Sequence, residues 1–161
     1  MFDKFGEFNS YQEINLAAAG QKDEGDTQAL MELAKENGID EEDVEYYLDD
    51  IVEELCTPMI AALGKLKIEE QDLNPEGIME DWTNYIRTLC SQDEAICLAL
   101  RLKSKSLKGC ISQLLKWSFD HAKAVDNDIK KMAGISQNVK LGMPGIRDAH
   151  RIIKEYYLGG K

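Results

Sequence analysis

The sequence has no apolar run of the roughly 18 to 20 residues that a membrane helix needs. Its 161 residues include only 3 prolines and 12 glycines, which argues against a collagen-like repeat and against wholesale disorder. Residues 1–20 lack the basic start and apolar stretch of a secretion signal. With 43% hydrophobic and 30% charged residues, the sequence predicts a globular protein that stays in the cytoplasm.

Histidine is scarce, and the common catalytic and metal-binding motifs are missing. His121 and His150 are the only histidines, and neither stands in an H-E-x-x-H pattern. No serine-nucleophile elbow and no phosphate-binding glycine loop occurs. The four cysteines form no C-x-x-C pair and fall where a helix takes a small apolar residue, at Cys56, Cys90, Cys97 and Cys110. We therefore expect buried free thiols, no metal, no cofactor and no enzyme activity.

Charge is distributed unevenly along the chain. The whole sequence has a formal net charge of -11. Residues 1–81 hold 23 acidic and 5 basic side chains, whereas residues 82–161 hold 7 acidic and 14 basic ones. Such an anionic protein is not attracted to DNA, RNA or anionic lipid in general, and it favours a basic partner. The halves either attract each other within one fold or present their charges to different partners.

Apolar residues recur every three to four positions through most of the chain, as in amphipathic helices. Only residues 139–141 have the pattern of an extended segment. The sequence predicts an all-α fold, a compact bundle of about eight short helices that form one body or two lobes. A polar stretch at 67–73 is interpreted as a connection between an acidic helical part, residues 1–66, and a helical part with a basic tail, residues 75–161. Because neither part has enough apolar surface to bury alone, we expect them to unfold together.

The clearest helix start in the chain is Asp40, which is followed by three acidic residues. Asp40 is the predicted N-cap, and the acids after it fill the first turn, where the helix dipole favours negative charge. The apolar period predicts one helix over residues 40–55, and the stretch lacks the glycine and alternating ligands of a calcium loop. Its opposite face is predicted to be a wall of carboxylates, either solvated or partner-binding, formed by Glu45, Asp49, Asp50, Glu53 and Glu54.

Further helix ends are predicted from local signals. Helix starts are expected at Ser10 with Glu13, Ser91 with Glu94, and Asn74 with Pro75. The first of these helices is expected to end at Gly20, and two more helices are predicted over about residues 126–133 and 144–158. A buried helix over residues 95–100 is expected to carry a basic tail, with Arg101, Lys103 and Lys105. Near the start of the chain, an aromatic segment is expected to pack onto the helices through Phe2, Phe5 and Phe8.

The basic half also offers a nucleic-acid-binding alternative. Residues 128–133, the turn at 134–136 and the helix from Pro144 resemble a helix-turn-helix in outline. The connection between them is longer than the three or four residues of such a turn, and the chain as a whole is anionic. The side chains available for phosphate contacts in this alternative are Lys130, Lys131, Lys140, Arg147 and Arg151.

Four segments together resemble the PcfK-like family, small proteins of bacterial conjugative and phage-type mobile elements. They are MFDKFGEF at 1–8, ENGIDEEDVEYYLDD at 36–50, KSLKGC at 105–110 and GMPGIRDAHRIIKEYY at 142–157. The family is associated with anti-CRISPR inhibitors of type II Cas9, so the resemblance implies an inhibitor that binds Cas9 or its guide RNA complex in the host cytoplasm. A plasmid-transfer accessory protein is the other role that it implies. It brings no catalytic or metal motif. An inhibitor could use the acidic helix as a nucleic-acid mimic, because Cas9 holds nucleic acid in positively charged channels.

Overall fold

A computed structural model describes residues 4–159 of the chain. Within them the all-α prediction is confirmed, since nine helices and one two-stranded sheet are formed. The helices are α1 (Tyr11–Asp23), α2 (Thr27–Glu36), α3 (Glu41–Leu48), α4 (Pro58–Leu73), α5 (Ile78–Gln92), α6 (Glu94–Arg101), α7 (Leu107–Asp120), α8 (Asn127–Met132) and α9 (Ile146–Leu158). The strands are β1 (Lys123–Ala124) and β2 (Lys140–Leu141).

The chain divides into two compact units, with the boundary between residues 108 and 109. The first unit contains α1 to α6 and the start of α7, and the second contains the rest of α7, the sheet, α8 and α9. Cooperative unfolding of the whole chain stays a prediction.

The core of the first unit contains a cluster built from the apolar faces of α1 to α4 and the segments that join them. Buried side chains of this cluster include Ile14, Leu30, Leu33 and Val44, and the pair of α4 with α6 is the most extensive helix contact in the unit. The expected packing of the aromatic segment is confirmed for Phe5 and Phe8, which lie partly buried against the cluster. Phe2 lies outside the described residues.

Several predicted helix ends need correction. α1 continues beyond Gly20 to Asp23, and the 67–73 stretch is the last part of α4 and not a connection. Asn74 ends α4 in the left-handed conformation, with φ 49°, so it caps the preceding helix and does not start the next one. α5 runs through Ser91, and the cap of α6 is Asp93, whose carboxylate accepts the Ala95 N–H at 2.9 Å.

Two glycines let the turn between α2 and α3 approach α4. A Cβ on Gly64 would lie 2.2 Å from the carbonyl oxygen of Asn37, and a Cβ on Gly38 would lie 2.2 Å from the carbonyl oxygen of Gly64. Gly38 also has φ +68°, a conformation that other residues rarely adopt. The two backbones therefore pack at a distance that excludes any side chain on either residue.

The second unit is built around the C-terminal part of α7, the sheet and α9. β1 and β2 are antiparallel, with Lys123 opposite Leu141 and Ala124 opposite Lys140, which confirms the extended segment expected at 139–141. α9 is strongly amphipathic and buries Ile152 and Ile153. The helices predicted over about 126–133 and 144–158 are confirmed as α8 and α9.

The four cysteines are buried and free, as the sequence predicts. None of the helices in residues 4–159 is long and apolar enough to span a membrane.

Candidate partner-binding surface

The helix that begins after Asp40 is shorter than the sequence predicts, and the predicted helical wall of carboxylates is not formed. α3 ends at Leu48, and Asp50 adopts the left-handed conformation with φ 56°. The N–H of Asp50 donates to the carbonyl of Tyr47 at 3.3 Å, and the N–H of Ile51 donates to that of Tyr46 at 2.9 Å. This pair of bonds is the Schellman arrangement that closes a helix C-terminus. Residues 51–55 continue as bends outside any helix.

A lysine from α1 explains why the helix ends there. α3 has no basic residue in its last turn to offset the negative end of its dipole. The Lys22 ammonium supplies that charge, since it donates to the Tyr47 carbonyl and to the Asp50 carboxylate, both at 2.6 Å. It also lies 4.4 Å from the centroid of the Tyr47 ring, a cation-π contact. The acidic end of α3 is thus tied to α1.

The predicted acidic residues remain at the surface but divide into two groups. Asp50 pairs with Lys22, and the Glu54 carboxylate accepts a hydrogen bond from the Asn15 amide at 3.3 Å, so these two residues have structural contacts. The other three are exposed and form no ion pair within the part of the chain that the structure describes, namely Glu45, Asp49 and Glu53. We call these three the open carboxylates. Asp40 is the N-cap position as expected, but its carboxylate pairs with Lys67 at 2.8 Å and makes no cap hydrogen bond.

A hollow of about 260 Å³ is lined by Glu53, one of the open carboxylates, and we call it the acidic hollow. Asp43, Glu53 and Glu54 supply its charge, and its lining contains no lysine or arginine. Val52 and Ile60 supply apolar walls. A long basic side chain suits such a space, because its aliphatic stem packs on apolar groups while its charged end meets carboxylates.

The electrostatic environment of the acidic hollow favours an incoming cation. Burial raises the pKa of Asp43, and the neighbouring carboxylates of Asp40 and Glu42 raise it further. Burial raises the pKa of the Cys56 thiol to about 12, so this lining residue stays neutral and is not a reactive thiolate. A guanidinium or ammonium ion placed here would relieve the repulsion among the carboxylates.

A larger hollow of about 440 Å³ lies between α2, α3 and α4. Its lining combines Lys35 and Lys67 with Glu32, Asp40 and Glu41. Because these charges nearly balance, this space does not select a partner by charge as the acidic hollow does.

The net charges of the two units have opposite signs. Residues 1–108 hold 25 acidic and 10 basic side chains, and residues 109–161 hold 5 acidic and 9 basic ones. The first unit therefore carries about -15 and the second about +4.

A buried polar cluster that the sequence analysis missed supports this acidic unit. Lys65 is 1% exposed, and its ammonium donates to the carbonyls of Leu102 and Lys105, both at 2.7 Å, and pairs with Glu7 at 3.1 Å. One turn along α4, the Glu69 carboxylate accepts the N–H of Leu107 at 3.3 Å. The two side chains hold the loop after α6 and the first turn of α7. The sequence did contain a signal for this cluster. Lys65 and Glu69 are four residues apart on a helix that begins with an apolar stripe.

Arg101, which the sequence places in the basic tail of the buried helix, belongs to the same buried region. It is 1% exposed, and its guanidinium donates to the Asn37 side-chain oxygen at 2.5 Å. Burial lowers the pKa of Arg101 and of Lys65, while nearby carboxylates raise both. Burial raises the pKa of Glu69 to about 7, against the opposing effect of Lys65.

The stability of the protein should therefore fall as pH rises from about 4.5 to about 7. The folded chain keeps the proton on Glu69 up to about pH 7, whereas the unfolded chain loses it near 4.5, so rising pH favours the unfolded state across this window. Glu69→Gln keeps an acceptor for Leu107 and stays neutral. In this variant the free energy of unfolding should no longer show the decline of about 3 kcal/mol that Glu69 causes. Urea unfolding at pH 5 and at pH 7.5 measures the decline in stability. The control is Glu76→Gln, which changes an exposed residue. A decline in Glu69→Gln as large as that in the wild type would contradict the raised pKa of Glu69.

The residues of the nucleic-acid-binding alternative lie on three elements of the second unit. Lys130 and Lys131 lie on α8, Lys140 in β2, and Arg147 and Arg151 on α9. Residues 133–145, which include β2, separate α8 from α9, so no short turn joins the two helices. Arg151 also pairs with two acidic residues of its own helix at 3.2 and 3.3 Å. A helix-turn-helix is therefore not formed here.

Comparisons with known proteins give no relative, because no protein-family model, no curated protein and no solved structure matches this chain. Within residues 4–159, no group of three or more His, Cys, Asp or Glu side chains is arranged to hold a metal ion.

Proposed function

We propose that this chain is a non-enzymatic binding protein whose first unit engages a basic, nucleic-acid-binding surface of a partner protein. The acidic hollow and the open carboxylates of the same segment carry this proposal, because they combine unneutralised negative charge with a space that suits a basic side chain. The charge of the first unit would speed encounter with such a surface and orient it.

Type II Cas9, alone or loaded with guide RNA, is the partner that we propose, and inhibition of Cas9 is the activity. The support for this identity is the resemblance of four sequence segments to the PcfK-like family. Cas9 holds nucleic acid in basic channels and reads its PAM with arginine side chains, which are the groups that the acidic hollow suits. Because α3 ends at Leu48, we propose the contact at the end of α3 and the segment that follows it, and not on the face of one long helix.

Reversing the charge of the open carboxylates should slow association with the Cas9–guide complex. In a variant with Glu45, Asp49 and Glu53 all changed to Lys, we expect the association rate constant to fall by about tenfold or more at low salt. The difference should shrink at high ionic strength, where the field is screened. Folding should change little, because the three side chains are exposed and unpaired. Stopped-flow or surface-plasmon measurements at two salt concentrations give the rates.

A matched control separates the site from net charge. The variant with Glu76, Glu80 and Asp81 all changed to Lys has the same change in net charge, on exposed residues of the same unit around the start of α5. Its association rate should change by less than about threefold. Equal slowing in the two variants would mean that only overall charge matters, and the acidic hollow would then not be the contact.

A further inference from the structure

The second unit exposes far more large apolar side chains than the first. Among the described residues, seven side chains of this kind are more than half exposed in the second unit, which is the smaller one, and only Leu16 and Ile51 are in the first. Isolated exposed apolar residues are normal on protein surfaces, whereas a group of neighbouring ones marks an interaction site.

Four of the seven lie around the C-terminal part of α7. Leu115 and Phe119 are one helical turn apart, so they project from the same side of α7, and they are 67% and 84% exposed. Met143 lies against this turn, since its sulfur is 3.9 Å from the Ser118 hydroxyl. Leu141 is two residues away in β2. We call Leu115, Phe119, Leu141 and Met143 the apolar face.

The glycine between two of these residues fixes their position. A Cβ on Gly142 would lie 2.0 Å from the carbonyl oxygen of Ser118 and 2.9 Å from the Cα of Ala122. Residues 141–143 therefore cross the end of α7 in direct backbone contact. The apolar face is held by packing and is not a mobile loop tip.

Cations flank the apolar face. Lys123 stands opposite Leu141 in the sheet, so the two side chains project to the same side. Lys123 is exposed and forms no ion pair within residues 4–159, while Lys116 on α7 pairs with Asp120 at 2.8 Å. An apolar surface edged with an unpaired lysine is complementary to a surface that has apolar side chains and carboxylates.

We infer that the apolar face is a docking site for an acidic amphipathic helix of a partner protein. The exposed row of Leu115 and Phe119 offers a ridge for helix packing, and the unpaired Lys123, on a unit with a net charge of about +4, selects acidic flanks. A nucleic acid fits less well, because Leu115, Leu141 and Met143 do not stack on bases as aromatic rings do. A second copy that docked through the same face would bring the Lys123 side chains of both copies into one interface, where like charges repel. This site differs in position and in charge from the acidic hollow.

A synthetic peptide tests the inference with the full-length protein. The probe is a fluorescent helix of about 18 residues with leucine at every third or fourth position and glutamate beside it, and the comparison probe has lysine in place of glutamate. At about 0.15 M salt, fluorescence anisotropy should show binding of the acidic probe and at least tenfold weaker binding of the basic one. Since the whole chain is strongly anionic, general charge attraction would give the opposite preference.

Matched variants locate the binding. Changing Leu115 and Phe119 together to Ser should weaken binding of the acidic probe about tenfold or more. Leu16→Ser, an equally exposed apolar residue of the first unit, should leave it within twofold. Lys123→Glu should also weaken it, with Lys35→Glu as control, and circular dichroism checks folding.

Three results would overturn the inference. The first is equal binding of the two probes. The second is unchanged binding of the acidic probe in both the double variant and Lys123→Glu. The third is evidence that a different partner occupies the apolar face. Such evidence would be binding of single-stranded DNA, or self-association that rises with protein concentration, if the double variant abolished it.

Discussion

Gly64→Ala should destabilise the protein by about 3 kcal/mol or more, although it adds one methyl group. The new Cβ would lie 2.2 Å from the Asn37 carbonyl oxygen, which belongs to backbone and cannot rotate away. Relief requires α4 to separate from the turn between α2 and α3. That movement would disturb the buried contact between Asn37 and Arg101 as well.

Gly20→Ala is the matched control for this prediction. Gly20 lies within α1, and a Cβ there would meet no atom within 4 Å. Alanine is favoured over glycine in a helix, so this variant should gain about 0.5 to 1 kcal/mol. Chemical denaturation of the two variants measures the difference. A Gly64→Ala protein as stable as the wild type would mean that the two backbones do not meet as described.

Arg101→Met should cost about 3 to 5 kcal/mol, the second large effect that we expect. Methionine fills much of the space but leaves the Asn37 side-chain oxygen without its donor at 2.5 Å in the interior. Lys103→Met changes a basic residue two positions away whose side chain is exposed, and it should alter stability by less than about 0.5 kcal/mol.

The comparison of Arg101→Met with Lys103→Met by urea unfolding tests whether the buried cluster is structural. Similar stability of the two variants would contradict the burial of Arg101. A loss of stability in Arg101→Met alone would show that this arginine, despite its place in a basic segment of the sequence, belongs to the core of the acidic unit.

Helix content was predictable because it depends on local periodicity. α8 and α9 begin and end close to the expected residues, since the signals that define them lie within the segments themselves. The end of α3 was not predictable in this way. It depends on Lys22, which is distant in sequence, and on a left-handed Asp50 where glycine is the usual signal.

The candidate site was predictable in composition but not in shape. The acidic residues of 40–54 are at the surface as expected, yet the helix break places Val52 and Glu53 beside Ile60 and so forms the acidic hollow. Ile51 and Val52, which the predicted helix over residues 40–55 would place in its apolar stripe, are exposed instead. Contacts between residues distant in sequence decide where α3 ends and which of its neighbours are exposed. The spacing of apolar residues within one segment contains no information about such contacts.

The proposed Cas9 inhibition is tested most directly by titrating this protein into DNA cleavage by a panel of type II Cas9 orthologues loaded with guide RNA. For the sensitive orthologue, the amount needed for half inhibition should rise in proportion to the Cas9 concentration, and a large excess of unrelated duplex DNA should not restore cleavage. Restoration of cleavage by unrelated DNA, with a shift of that DNA by this protein in a gel, would instead identify a DNA-binding protein. Undiminished cleavage by every orthologue would also contradict the proposed function.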